Sequence, residues 1–396
     1  MSLLLSQTFT RNRFTWLMYL LLAFYAYFLN ILGPITPFLK EELSLSYTIS
    51  SLHFTGFALG IIAVGLGGHL IIRRTGRWKA LWIGAAGMSL SVLLLVFGRN
   101  PVITIGASFL MGLVGSLILA VVPSALSDQH GDMQAVAISE ANVVSSLVSA
   151  AAPLLVGWFA LTSGGWRLAL FVVAFVPLAL YFGLGKSKLP RDTSPSKVAD
   201  RVRQSLPARY WVYWVAILLA VSVEFCMVYW SADYMETGLG LPKADAAQTV
   251  SLFLAGMISG RVAASRLVPR FTPYKVAAAS ILVAAVGFMV FWTAGAPVWG
   301  AVGLFFTGLG VASLYPLLLS LAIDASGGNS VQAGARASLA SGTAIFTLPL
   351  VLGRLADAVG IRSAYSVVIF LMAGVFLIIL LTARLSAARP VEMDKN

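Results

Sequence analysis

Charge is what this sequence has least of. Asp, Glu, Lys and Arg together make up 11% of its 396 residues, where a soluble domain carries about a quarter. A conventional solvated surface is therefore excluded. Cysteine is almost absent as well: the single Cys226 lies in an apolar segment, which rules out a disulfide framework and a cysteine-based metal site. The patterns of common catalytic sites are missing too. There is no phosphate loop, no His-Glu-x-x-His helix and no Gly-x-Ser-x-Gly elbow. The run Asp128-Gln-His-Gly-Asp132 holds possible ligands, but they are too crowded to form a recognisable metal motif. No enzyme chemistry, cofactor or metal is expected, and without a nucleotide-binding domain ATP-driven transport by this chain alone is not expected either. The first apolar run, Phe14 to Leu39, is too long for the core of a signal peptide and lacks a clean small-residue cleavage site.

What fills the space is apolar residue. Hydrophobic types reach 59% and mean hydropathy is +0.89, and roughly 20 such residues suffice to cross a bilayer. Long apolar runs between polar breaks predict twelve spans, at about 14–39, 46–72, 78–98, 101–126, 134–161, 166–185, 209–234, 244–267, 274–293, 296–323, 331–357 and 362–385. The breaks are short and rich in Gly, Pro, Asp and Arg, as turns between antiparallel helices are. One is longer and carries Pro190, Pro195 and Pro207 with mixed charge. It divides the chain into residues 1–185, a linker at 186–208, and residues 209–396.

The formal charge of +12 becomes a topology signal once the cations are placed. One side of the predicted bundle takes 20 of the 27 Lys and Arg residues, among them Arg73, Arg74, Arg77, Lys79, Arg266, Arg270 and Lys275 and seven from Lys186 to Arg209. The other side takes Lys40, Arg99, Arg167, Lys243, Arg354 and Arg362, and Arg261 is left inside a span. By the positive-inside rule, both termini and the linker are cytoplasmic in a bacterial-type inner membrane. Nucleic acid is not an expected partner.

The two halves match at a nearly constant offset. Adding 196 carries Arg74 to Arg270, Lys79 to Lys275, Gly112 to Gly308, Asp128 to Asp324, Pro153 to Pro349 and Gly157 to Gly353. That is the trace of a parallel repeat. The second span is glycine-rich (Gly65, Gly67, Gly68) and runs into Arg73-Arg-Thr-Gly-Arg-Trp-Lys79. With these features the chain resembles the major facilitator superfamily over essentially its whole length. It departs at Arg73, where the family's loop has an acid, and its fifth span keeps only Ala152-Pro153 and Gly157 of the antiporter motif. The resemblance implies an all-α polytopic membrane protein of twelve transmembrane helices in two pseudo-symmetric six-helix bundles. It further implies that spans 1, 4, 7 and 10 line a central cavity, that span 5 faces span 8 and span 2 faces span 11, and that the halves rock to expose substrate alternately.

An ionisable side chain within a span is costly and is a functional candidate by default. Glu224 lies about 14 residues, or about 21 Å, into the seventh span, and is the candidate proton carrier; a carboxyl satisfied by a neighbouring helix is the plainer alternative. Arg261 stands about 9 Å above the basic end of the eighth span and Glu140 about 9 Å into the fifth. Level with one another on facing helices, they are expected to form a gate pair. Arg261 holding an anionic substrate in a bidentate grip is the rival reading, while the depth difference of about 12 Å argues against direct pairing with Glu224. Arg336 is a further gate candidate or a cation reaching for the membrane surface. Asp128 and Asp324, with Arg74, Arg77 and Arg270, suggest a structural clasp in each half. Asn30 and Tyr315 are expected in the cavity, near prolines that bend spans and free carbonyls. Asp233 and His53, near the outer ends, are expected to be solvated. Together these predict a proton-linked secondary transporter, functional as a monomer, for a small organic anion or sugar. Efflux of amphiphilic compounds is the alternative within that class, and a non-transporting receptor or lipid-acting enzyme the alternative outside it.

Overall fold

The computed structural model describes residues 9–185 and 205–387; the linker cations from Lys186 to Arg203, with Arg389 and Lys395, lie outside them. No strand occurs among the described residues. The chain forms α1 (Arg13–Glu42), α2 (Tyr47–Thr75), α3 (Arg77–Phe97), α4 (Pro101–His130), α5 (Gln134–Ala160), α6 (Arg167–Leu184), α7 (Ala208–Asp233), α8 (Lys243–Leu267), α9 (Pro273–Thr293), α10 (Pro297–Asp324), α11 (Ser330–Val359) and α12 (Ser366–Ala387). Helices α4 and α5 follow one another through a single 3-10 turn at Gly131–Met133, so Pro101–Ala160 reads as one apolar run of 60 residues. At 1.5 Å per residue such a run would measure about 90 Å, three times a bilayer core, so it is two crossings. Gly131, at φ 49, makes the reversal.

Local chemistry explains where the helices start and where they break. Asn12, Ser46 and Asn100 accept from the first-turn amides of α1, α2 and α4. Pro316 has no N–H for the carbonyl of Ala312, and α10 is interrupted there, between Val311 and Leu314. Pro177 does the same to α6, which breaks at Phe175. By contrast α1 runs unbroken through Pro34 and Pro37, and α5 through Pro153.

The repeat detected in sequence is visible in the packing. Gly112 of α4 lies against the carbonyl of Phe57 in α2, with no room for a Cβ; Gly308 of α10 lies in the same way against Phe253 in α8. All four positions are related by the offset of 196. Between the halves, α5 packs on α8 and α2 on α11, as the family resemblance implied, and α1 packs on α7. The expected clasps form in one half only. Arg77, not Arg74, binds Asp128 at 2.5 Å, whereas Arg74, Arg270 and Asp324 are exposed and unpaired among the described residues. The asymmetry has a simple cause: the repeat puts Pro273 where Arg77 stands. In the second half Arg209 and Tyr213 instead tie α7 to Tyr274 of α9.

Candidate functional site

The end of the bundle carrying the α2–α3, α4–α5, α8–α9 and α10–α11 turns is called here the basic face. Between the halves lies a cavity of about 220 Å³ lined by residues of α1, α4, α5, α7 and α8. Glu224 and Arg261, the two in-span charges singled out from sequence, both line it, and so does Asn30. Tyr315 does not line that cavity; it is half-buried beside Ser341, within electrostatic reach of Glu224.

Arg261 and Glu224 share the cavity despite their separation in depth, and side-chain direction is the reason. Every Cα–Cβ bond in a helix tilts toward that helix's N-terminus. Helix α8 runs toward the basic face, so Arg261 points back toward the membrane centre. Helix α7 runs the other way, so Glu224 leans toward the basic face and into the field of Arg261. Arg261 donates from Nη1 to Ser146 Oγ of α5 at 2.8 Å, linking the two halves. It has no carboxylate partner among the described residues, and Glu224 has no hydrogen-bond partner among them.

The same tilt corrects the expected Glu140–Arg261 pair, which is not formed. Helix α5 starts at the basic face, so Glu140 leans away from Arg261. It is gripped instead by Arg11, with Nε to Oε2 at 2.7 Å and Nη2 to Oε1 at 2.6 Å, and Tyr19 donates to it at 3.2 Å. Beside it, His130 at the end of α4 meets Thr15 Oγ1 at 2.9 Å and packs on Phe9. Residues 9–19 are thus strapped to the end of α4 and the first turns of α5 within one half. Arg336 is exposed, and its side chain makes no hydrogen bond or ion pair among the described residues; only its carbonyl is used, accepting from Trp214 Nε1 at 2.8 Å.

A polar stripe on α5 escaped the search for charged groups. Asn142, Ser145, Ser146 and Ser149 all line the cavity. Their spacing of three and four residues was legible as one helix face, but no single serine stands out in an apolar span. Asn30 of α1 donates to Ser149 Oγ at 3.2 Å and to the Ala26 carbonyl at 2.9 Å, closing the stripe against α1.

The opposite end of the interface is shut. Asp233, expected in solvent, is wholly buried at the end of α7 and ion-paired with Lys40 of α1. The Lys40 ammonium also sits 4.0 Å from the Tyr47 ring centroid. Lys243 of α8 pairs with Glu41 and reaches Glu236 at 3.5 Å. Asp357 of α11 accepts from the amides of Tyr47 and Thr48, both at 2.8 Å, capping α2 from the other half. Deeper in, Phe54 of α2 stacks on Tyr229 of α7 with centroids 4.1 Å apart, and Gly33 lets α1 touch the α7 backbone at Val228. His53, also expected in solvent, is buried, held by Thr104 Oγ1 at 2.9 Å and the Ser50 carbonyl at 3.0 Å. Toward the basic face, Arg11–Glu140 and Arg77–Asp128 each join residues of the first half alone. Asn142 and Arg261 of the cavity wall, by contrast, are exposed.

Comparison with known proteins agrees with this architecture. The Major Facilitator Superfamily profile matches residues 18–335. An uncharacterized MFS-type transporter of Yersinia pestis is 23% identical over 346 residues, covering 81% of this chain and 83% of its own. Among solved structures, a D-xylose–proton symporter superposes with a TM-score of 0.74 at 15% identity, over 93% of this chain and 96% of its own. A bacterial homolog of the human lysosomal transporter Spinster, in its inward-facing and unoccupied conformation, superposes with the same score at 13% identity and the same coverage.

Proposed function

Because the chain belongs to the major facilitator superfamily, we propose that it carries a small organic anion across the membrane by alternating access, with Glu224 as the proton carrier. That it is a membrane transporter and not an enzyme follows from the family and its relatives. The choice of an anion rests on one observation: Arg261 enters the cavity without a carboxylate partner among the described residues. A guanidinium so placed offers a planar fork of donors that fits a carboxylate at two points. Ser146 takes one N–H and holds the rest toward the cavity.

Glu224 supplies the coupling in this reading. Ionised, it adds a negative charge beside the anion site and weakens anion binding; protonated, it removes that charge. Proton and anion therefore favour each other's binding, which is symport. The basic face is the cytoplasmic side, so the conformation described above is open inward, and the protomer works alone in a bacterial-type inner membrane. Helices α1 and α7 meet at Gly33 on the closed side and part when the cavity turns outward. Arg11 and Glu140 stay together as a strap within one half.

The apolar part of the wall, with Leu22, Phe225, Leu254 and Met257, favours a second reading, efflux of an amphiphilic cation neutralised by Glu224. A thermal-unfolding panel of organic anions, sugars and lipophilic cations separates the two. A ligand present at about 100 times its Kd stabilises by about 2.7 kcal/mol if it binds only the folded protein. Organic anions are expected to raise the midpoint of the wild-type protein and lipophilic cations to leave it unmoved. The reverse pattern, with the cation shift lost in Glu224→Gln, sinks the anion reading.

A further inference from the structure

We infer that the substrate is a hydroxylated carboxylate, with its carboxylate on Arg261 and its hydroxyls on the α5 wall; this rests on the anion reading above. The argument is a count of donors and acceptors. On the first-half wall, all but one of the donors of its serines and asparagines are already spent, the second N–H of Asn142 being left over. Ser145 donates to Ala141 at 2.8 Å, Ser146 to Asn142 at 2.7 Å, Asn142 to Ile138 at 2.9 Å, and Ser149 to Ala26 at 3.2 Å. Asn30 spends its amide on Ala26 and Ser149. Apart from that one N–H, what these groups turn to the cavity is acceptor lone pairs.

Proline adds two more acceptors at the same level. Pro34 lacks the N–H that would bond the Asn30 carbonyl, and Pro153 lacks the one for Ser149, while α1 and α5 run on unbroken. Two helices are thus deprived of a backbone donor at the very residues that touch each other beside the cavity. A wall of neutral acceptors is costly to leave dry, and it is complementary to a ligand rich in O–H donors. The charged donor of the cavity is Arg261, bound to Ser146 in the middle of that wall. From Asn142 to Ser149 the stripe extends about 10 Å along the helix, the reach of a short polyhydroxylated chain and longer than a single ammonium needs. The apolar residues Leu254, Met257 and Ile258 of α8 line the facing side and would meet the carbon face of such a chain.

The test compares matched acids that differ only in hydroxyls: glycolate with acetate, glycerate with propionate, and gluconate with hexanoate. Affinities are read by calorimetry or thermal shift on the intact protein. At least one hydroxylated member is expected to bind tenfold or more tightly than its partner, since a site built for a hydroxyl rejects the analogue lacking it. Ser145→Ala is expected to cut that preference about tenfold without changing affinity for the plain acid. Ser145 bonds only to its own helix, so the packing between helices survives the change, and Ser145→Thr, which keeps the hydroxyl, is expected to restore the preference. Equal affinity for both members of every pair, with Arg261→Gln abolishing both, overturns this inference and leaves the anion reading standing. Tighter binding of alanine than of lactate also overturns it, and would place an ammonium on Glu224. Binding of no acid in any pair overturns both.

Discussion

Arg261→Gln should abolish substrate binding while leaving a folded protein. Removing one partner of a desolvated, hydrogen-bonded charge pair costs about 2–5 kcal/mol, which is from about 30-fold to several thousand-fold in Kd. Glutamine keeps a donor for Ser146 but loses the charge and the fork. Because Arg261 is exposed to the cavity and reaches α5 through a single hydrogen bond, the unliganded midpoint should stay close to wild type. Arg261→Lys is expected to fall between, since an ammonium keeps the charge without two-point geometry. Titration of a bound anion with each variant checks the order. An Arg261→Gln protein that binds anions as wild type does would remove the basis for calling the ligand an anion.

Lys40→Met should open the closed side. Asp233 is wholly buried, its Oδ1 meets Lys40, and its Oδ2 has no hydrogen-bond partner. Deleting the lysine charge leaves a buried carboxylate uncompensated, a loss of about 3–5 kcal/mol. That penalty falls on the closed arrangement alone, because separation of α1 from α7 lets water reach Asp233. The equilibrium should therefore move by roughly 100-fold or more toward the conformation open at that end. Spin labels at Val102 and Val298, both well exposed at the relevant helix ends of the two halves, report the distance. Wild type should give one short distance and Lys40→Met a dominant longer one. Asp233→Asn is milder, since it leaves Lys40, whose side chain is 18% exposed, rather than a wholly buried charge. An unchanged distance distribution in Lys40→Met would mean that the ion pair does not hold the closed side.

These two residues also mark where sequence reasoning succeeded and where it stopped. Twelve spans, the repeat and the pairing of α5 with α8 were legible, because bilayer thickness fixes helix length and an offset of 196 recurs at many positions. Glu224 and Arg261 were legible because a charge in a span is rare enough to need a reason. A common cavity for the two stood as only one of two readings of Arg261, beside the gate pair with Glu140. Heights counted along the helix axis ignore the tilt of each side chain toward its own N-terminus, which draws this pair together and drives Glu140 from Arg261. The Asp233–Lys40 closure was illegible for another reason. A charge near a helix end is ordinarily solvated, and its partner here lies 193 residues away on the other half. The polar stripe on α5 was written in the spacing of Asn142, Ser145, Ser146 and Ser149, yet four neutral side chains carry no individual signal.

Uptake into proteoliposomes under an imposed proton gradient tests the central claim most directly, using whichever anion stabilises the purified protein. Wild type should accumulate that anion when the outside is acidic and stop when the gradient is collapsed. Glu224→Gln, permanently neutral at that position, should still exchange labelled for unlabelled anion yet fail to accumulate it against a gradient. Accumulation by Glu224→Gln at the wild-type level, or by wild type with no response to the proton gradient, would contradict the account.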